Sequence, residues 1–141
     1  MNDNTNSSEV PQKLRDELLG YAHQIAEGYR IKLDFSHRSI KRVEKILAQI
    51  HKGYQKSQSE EGLFGIALEF ATYIVAVIEK NSDKGRWERN HPDFGEGSFP
   101  FYWRGTTIFP HAWCLKRILD GKGDNVWAKY KTLVLKELKD A

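Results

Sequence analysis

Leu14, Leu18, Tyr21, Ala22, Ile25 and Tyr29 follow Pro11 at three- and four-residue steps, with Lys13, Asp16, Glu17, Gln24 and Glu27 falling mostly between them. This spacing predicts an amphipathic first helix that begins at the proline and ends near Gly28. A second stripe, Ile40, Val43, Ile46, Leu47 and Ile50, predicts another helix, with Asp34 or Ser36 as its cap and Gly53 as its stop. The stretch from Tyr54 to Gly62 has almost no apolar content and reads as a linker. Beyond it, LFGIALEFATYIVAVIEKN is apolar on nearly every face, with Glu69 as its one interior charge. Its β-branched residues would suit a buried strand, but nineteen residues without a turn signal favour a helix covered by several neighbours.

The pattern changes after Asn81. SDKGRWERNHPDFGEGSFP holds too many glycines and prolines for a long helix. GRWER, PFYWRG and TTIFP are rich in aromatic and β-branched residues and predict short strands, with Arg104 and Gly105 at the turn between the last two. Pro110 then starts a helix that stops at Asp120 and Gly121. A final helix, capped by Asp124 or Asn125, takes Val126, Trp127, Tyr130, Leu133, Val134 and Leu138 as its apolar face. The predicted fold is α+β, a mostly helical single domain over residues 11–141 with a central apolar helix and a small antiparallel hairpin or sheet. The polar segment MNDNTNSSEV, residues 1–10, reads as a disordered tail without the features of a secretory signal.

Composition narrows the class of function. The formal charge of +3 is mild and spread along the chain, so it does not recommend nucleic acid as the partner, and it counts against a strongly basic one. The longest apolar run, Phe70 to Ile78, is about half a bilayer span, so no membrane partner is expected. Cys114 is the single cysteine, which excludes an internal disulfide and agrees with a cytoplasmic setting.

Candidate chemistry gathers in FPFYWRGTTIFPHAWCLKR, residues 99–117, where six aromatic side chains share nineteen positions with His111 and Cys114. His111, Cys114, His91 and Asp93 could supply four zinc ligands, but their spacing follows no compact pattern, and no metal or cofactor is expected. A Cys114 thiolate with His111 as base and Asp93 or Asp120 behind it can be drawn. A lone cysteine flanked by Trp113 and Leu115 is more readily a packing residue. Glu69 and Glu79 share a helix face but stand about 15 Å apart along it, too far for paired acid and base work. Arg38, Lys41, Arg42, Lys45 and Lys52 line one face of the second helix and could meet phosphates, although a solvated face reads the same way and no aromatic platform accompanies it in the sequence.

LDFSHRSIKRVEKIL, followed by ATYIVAVIE, GRWE and IFPHAWCLKRILDG, resembles a widespread bacterial domain family of unknown function. In that family an LDYS helix start precedes a Gly-x-Tyr-x-Gly-Glu helix, a tryptophan strand and a proline-led helix. The resemblance spans about Asp34 to Leu133. Tyr73 and Trp87 match, whereas Val75 and Ala76 stand at the Gly-Glu positions, so no role for that glutamate carries over. It implies a bacterial setting and lends no activity.

Strand alternation sends Phe99, Phe101 and Trp103 to one side and Tyr102 with Arg104 to the other. The expectation is a binding protein whose partner, another protein and in one version a toxin masked by an immunity or antitoxin-like chain, meets Trp87, Tyr102, Arg104 and Trp113. A small-molecule or enzymatic cleft around Trp87, Tyr102, Trp103, His111 and Cys114 is the alternative. Nucleic-acid binding through the basic face of the second helix is the third reading.

Overall fold

The structure, a computed structural model, describes residues 8–140, and residues 1–7 and 141 lie outside that range. Three helices come first, α1 (Gln12–Gly28), α2 (Ser39–Ser57) and α3 (Leu63–Asn81). Strands β1 (Arg86–Trp87), β2 (Phe101–Trp103) and β3 (Thr106–Ile108) follow, then α4 (Pro110–Asp120). A 3-10 turn (Lys122–Asp124) leads into α5 (Val126–Tyr130), which runs through a π-helical turn (Lys131–Leu135) into α6 (Lys136–Asp140).

The central apolar segment is a helix despite its β-branched residues. Phe70, Tyr73, Ile74, Val77 and Ile78 of α3 are all fully buried, with α1 on one side and α4 on another. One contiguous core joins them to Ile40, Val43, Ile46 and Leu47 of α2, the inward rings of the sheet, and Val126, Tyr130 and Val134 near the C-terminus. The start of α2 is set by short polar side chains: Asp34 accepts from the Ser36 amide (3.1 Å) and hydroxyl (2.6 Å), and Ser36 Oγ accepts from the Ser39 amide (3.1 Å).

Three helical expectations are corrected. Leu133, placed on the apolar face of the last helix, is exposed within the π-helical turn, whose wider winding shifts the phase of the helix. Tyr21 and Tyr29 are exposed, at 52% and 41%, because Leu18, Ala22 and Ala26 form the seam of α1 that closes on α3. Gly53 does not stop α2, which continues through Ser57 to a left-handed cap at Gln58 and shortens the linker. One exposed glycine costs a helix only about 1 kcal/mol, and the flanking Lys52, Tyr54, Gln55 and Lys56 tolerate helical backbone.

The sheet is antiparallel in the order β1-β2-β3, with Trp87 opposite Phe101 and Trp103 opposite Thr106. The β2–β3 turn has φ of 50° at Arg104 and 76° at Gly105, the positive pair that suits a two-residue hairpin to the strand twist. Phe101 and Trp103 face the core and Tyr102 faces outward. Of the expected disordered tail, residues 1–10, the first seven lie outside the described residues and the last three are paired with the sheet. Ser8 to Val10 run beside β1, with the Val10 amide donating to the Trp87 carbonyl (2.9 Å), the Arg89 amide to the Ser8 carbonyl (2.7 Å), and the Val10 side chain buried. An unpaired strand edge is thereby covered.

Candidate functional site

Between β1 and β2 the chain makes a loop that is held by its own polar groups. The Glu88 and Asn90 amides extend the ladder to the Pro100 and Ser98 carbonyls (3.0 and 2.8 Å). Asn90 Oδ1 accepts from the Gly97 amide (2.7 Å), Ser98 Oγ donates to the Gly95 carbonyl (2.7 Å), and Gly95 and Gly97 take positive φ. This scaffold leaves Phe94 47% exposed, edge-on to Phe109 with ring centroids 5.1 Å apart. Phe64, in the first turn of α3, is 46% exposed and packs on His111 (4.4 Å) and Phe99 (6.1 Å). Loop and helix together enclose an open groove of about 590 Å³, lined by Phe64, Arg89, His91, Pro92, Glu96 and Phe99 among others. His91 bridges to the hairpin through Tyr102 (6.0 Å) and to the loop tip through Phe94 (5.5 Å). Single exposed apolar residues are ordinary, whereas Phe64, His91 and Phe99 share one concavity, with Phe94 exposed on the same loop beside His91, and grouped aromatics of this kind are enriched at recognition surfaces.

Several expected contact residues lie elsewhere. Trp87 is fully buried, its indole N–H donating to the Phe99 carbonyl (3.3 Å) and the Arg15 guanidinium lying 5.5 Å from its ring centroid. Trp113 is buried too, so neither tryptophan presents an exposed ring to a partner. Trp87 faces inward from β1 behind exposed Arg86, and Trp113 lies on the buried face of α4 with His111 and Cys114, whereas period-two or helical alternation alone could not say which face the core would take. Arg104 is exposed but engaged within the chain, with Asp83 (3.2 Å) and Glu137 (4.0 Å). Tyr102 is half-buried and outward. Burial first, then the nearby Glu88 and Asp93 charges, push its hydroxyl above the ordinary value. Phe64 and Phe94 were not singled out by periodicity. An aromatic residue inside the glycine-rich PDFGEG is the one local signal that points to the groove.

The chemical candidates do not assemble. Cys114 is completely buried, and burial with the Glu44 charge pushes its thiol far above the usual range, the opposite of what a nucleophile needs. His111 Nε2 donates to the Phe64 carbonyl (3.2 Å), so it is not aimed at Cys114. Ser98 accepts from the His91 amide, and no imidazole takes its proton. His91 lies 3.8 Å from Glu88 and 3.9 Å from Asp93, yet no three His, Cys, Asp or Glu side chains converge as metal ligands among the described residues. Glu79 pairs with Arg15 (3.0 Å) and accepts from the Gly85 amide (2.9 Å), tying α1, α3 and β1 together. Glu69 sits half-buried at the core rim, and burial raises its carboxyl.

The buried imidazole has a consequence for stability. Desolvation holds His111 below its ordinary value, against a smaller opposing effect of the Phe64 carbonyl, and burial lowers His37 as well. The unfolded chain takes up these protons near pH 6.5 while the folded chain resists them. Stability should therefore be full above that pH and fall on acidification, until the folded imidazoles titrate as well. Urea midpoints measured on both sides of pH 6.5 check this. His111→Gln should flatten the acid limb, and a midpoint that rises on acidification would contradict the assignment.

No helix among the described residues is long and apolar enough to cross a membrane. Comparison with protein-family models, with curated proteins and with solved structures finds no match to this chain, so its function is read from these residues.

Proposed function

We propose that this chain acts by binding another protein, with no covalent chemistry of its own, and that the groove between Phe64 and the loop that carries Phe94 is its contact surface. The observation that carries this reading is the pair of nearly half-exposed phenylalanines on a loop and helix end whose backbones are pinned by hydrogen bonds. Rigid aromatic anchors lose little conformational freedom on binding and supply most of the energy at protein contacts. Tyr102 and His91 extend the same surface. In its most specific form the reading is an immunity or antitoxin-like protein that covers a toxin.

The small-molecule cleft is not favoured, since Trp87, Tyr102, His111 and Cys114 do not line the groove. Affinity capture from the native cell after crosslinking tests the proposal, comparing the unaltered chain with Phe64→Ser/Phe94→Ser at matched folding. A protein recovered by the first and lost with the second is the expected result. An identical set recovered by both would remove the groove from consideration.

A further inference from the structure

Helix α2 places its cations in a way that works against its own stability. Arg38, Lys41, Arg42, Lys45, Lys52 and Lys56 fall within an arc of about 100° on the wheel and extend over about 27 Å, and all six are exposed. They make three like-charge pairs four residues apart, Arg38 with Arg42, Lys41 with Lys45 and Lys52 with Lys56, each of which destabilises a helix. Arg38, Lys41 and Arg42 also sit at the helix N-terminus, where the aligned peptide dipoles disfavour positive charge and the first turn has no acidic residue.

The helix supplies no compensation from its own sequence. Its single acid, Glu44, points inward to Arg117 and the Val126 amide. Among the described residues none of the six has a carboxylate within 4.0 Å. Asp34 lies near enough to Arg42 to feel its charge, but its oxygen already serves Ser36, and Arg42 Nη1 donates to a neutral group, the Lys32 carbonyl (2.7 Å).

The tertiary structure adds what the sequence of α2 lacks. Trp127 of α5, half-buried, lies beside this face with the Lys41 ammonium 5.7 Å from its ring centroid and the Lys131 ammonium at the same distance. Two ammonium groups from different helices are thus held at one indole by ring attraction and left without a carboxylate. Side chains held in this way lose less rotamer freedom when an anion arrives.

We infer that this face, the α2 stripe with Trp127 and Lys131, docks an acidic segment of a partner protein. The chemistry distinguishes that occupant from a nucleic acid. Single strands bind by stacking bases on open ring faces, whereas Trp127 already has two ammonium groups and the nearly parallel Tyr130 ring (16°, 6.1 Å) around it. A net charge of only +3 also gives a weak long-range field for a polyphosphate. The inference rests on the protein-binding reading for the class of partner, and it does not depend on the groove beside Phe64.

The test uses the full-length chain, isotope-labelled and followed by NMR at low salt. The probes are a Glu-rich helical peptide, the same peptide with Gln for Glu, and a single-stranded oligothymidylate. The acidic peptide should shift the amides of α2 and the Trp127 indole N–H, and the Gln peptide should not. Salt near 1 M, where screening acts over about 3 Å, should abolish the shifts. Lys41→Glu/Lys45→Glu should weaken binding about tenfold or more, and the milder Lys41→Gln/Lys45→Gln about threefold, which covers the case in which charge reversal disturbs folding. Phe64→Ser/Phe94→Ser should leave the titration unchanged, so the groove can fail while this face stands. No shift at any attainable peptide concentration, or shifts spread evenly over every lysine-bearing surface, would overturn the inference. Oligothymidylate moving the same signals at lower concentration than the peptide would also overturn it and would count against a protein partner altogether.

Discussion

Replacing Glu44 with alanine is expected to lower the unfolding free energy by about 3–5 kcal/mol, the usual result of stranding one member of a buried ion pair. Glu44 Oε2 accepts from Arg117 Nε (2.7 Å), and Oε1 accepts from the Val126 amide (2.9 Å) at the start of α5. Both side chains are nearly buried, at 12% and 6% exposure. One carboxylate therefore ties α2 to α4 and caps the C-terminal helix. Its loss leaves a guanidinium in the core whose Nη1 is already without a partner. Glu44→Gln keeps an acceptor for Val126 and removes the charge, so it should fall between alanine and the unaltered protein. The combined Glu44→Leu/Arg117→Met variant should be less damaging than Glu44→Ala, because no isolated charge remains. Urea midpoints at constant slope measure all three. A loss under about 1 kcal/mol for Glu44→Ala would mean that water reaches Arg117 and that the pair is not sealed.

Gly85→Ala should be nearly as damaging, by about 3 kcal/mol, through overpacking. A methyl group at Gly85 would stand 2.4 Å from the Tyr102 carbonyl oxygen and 2.6 Å from two carbons of the Phe101 ring. The carbonyl belongs to the central strand of the sheet and cannot withdraw without breaking the ladder. Phe101→Leu on the Gly85→Ala background should rescue only part of the loss, since the backbone clash remains. Gly20→Ala is the internal contrast: it lies on the exposed side of α1 with nothing within 4 Å, and it should gain up to about 1 kcal/mol. Opposite signs from the same chemical change, read as midpoint shifts, would establish that close approach sets the requirement at Gly85. Equal effects would refute it.

Much of the fold was legible residue by residue. The turn at Arg104 and Gly105, the proline start of α4, its stop at Gly121 and the helical state of α3 follow from backbone sterics and from periodicities that act within a few residues. The inward set Phe101 and Trp103, and Cys114 as a packing residue, follow from the same patterns. Tyr21 and Tyr29 misled because a large aromatic at helical spacing satisfies the pattern, while the seam of α1 needs residues small enough to approach α3. Trp87 and Trp113 misled in the other direction, since an aromatic residue rich in binding potential is also the one that fills most core volume.

Of the candidate site, Tyr102, the basic row on α2 and His91 could be read beforehand, His91 as a metal ligand rather than a contact residue. Phe64 belongs by pattern to the buried helix, and its exposure depends on where the loop of residues 88–99 comes to rest. Trp127 looks like core on its own helix and becomes part of the basic face through the approach of Lys41. Glu44 with Arg117 joins positions 73 residues apart, and Glu44 with Val126 joins positions 82 apart, beyond the reach of any local pattern.

By itself the sequence determined which segments are helix or strand and which side of each is greasy, because those properties depend on dihedral preferences and on side-chain order along a few turns. Which neighbour covers each greasy side, which charges meet a partner and which rings remain in water were decided only by tertiary packing. Burial is a relation between segments, and the free energy of a ring or a charge depends on what has arrived beside it.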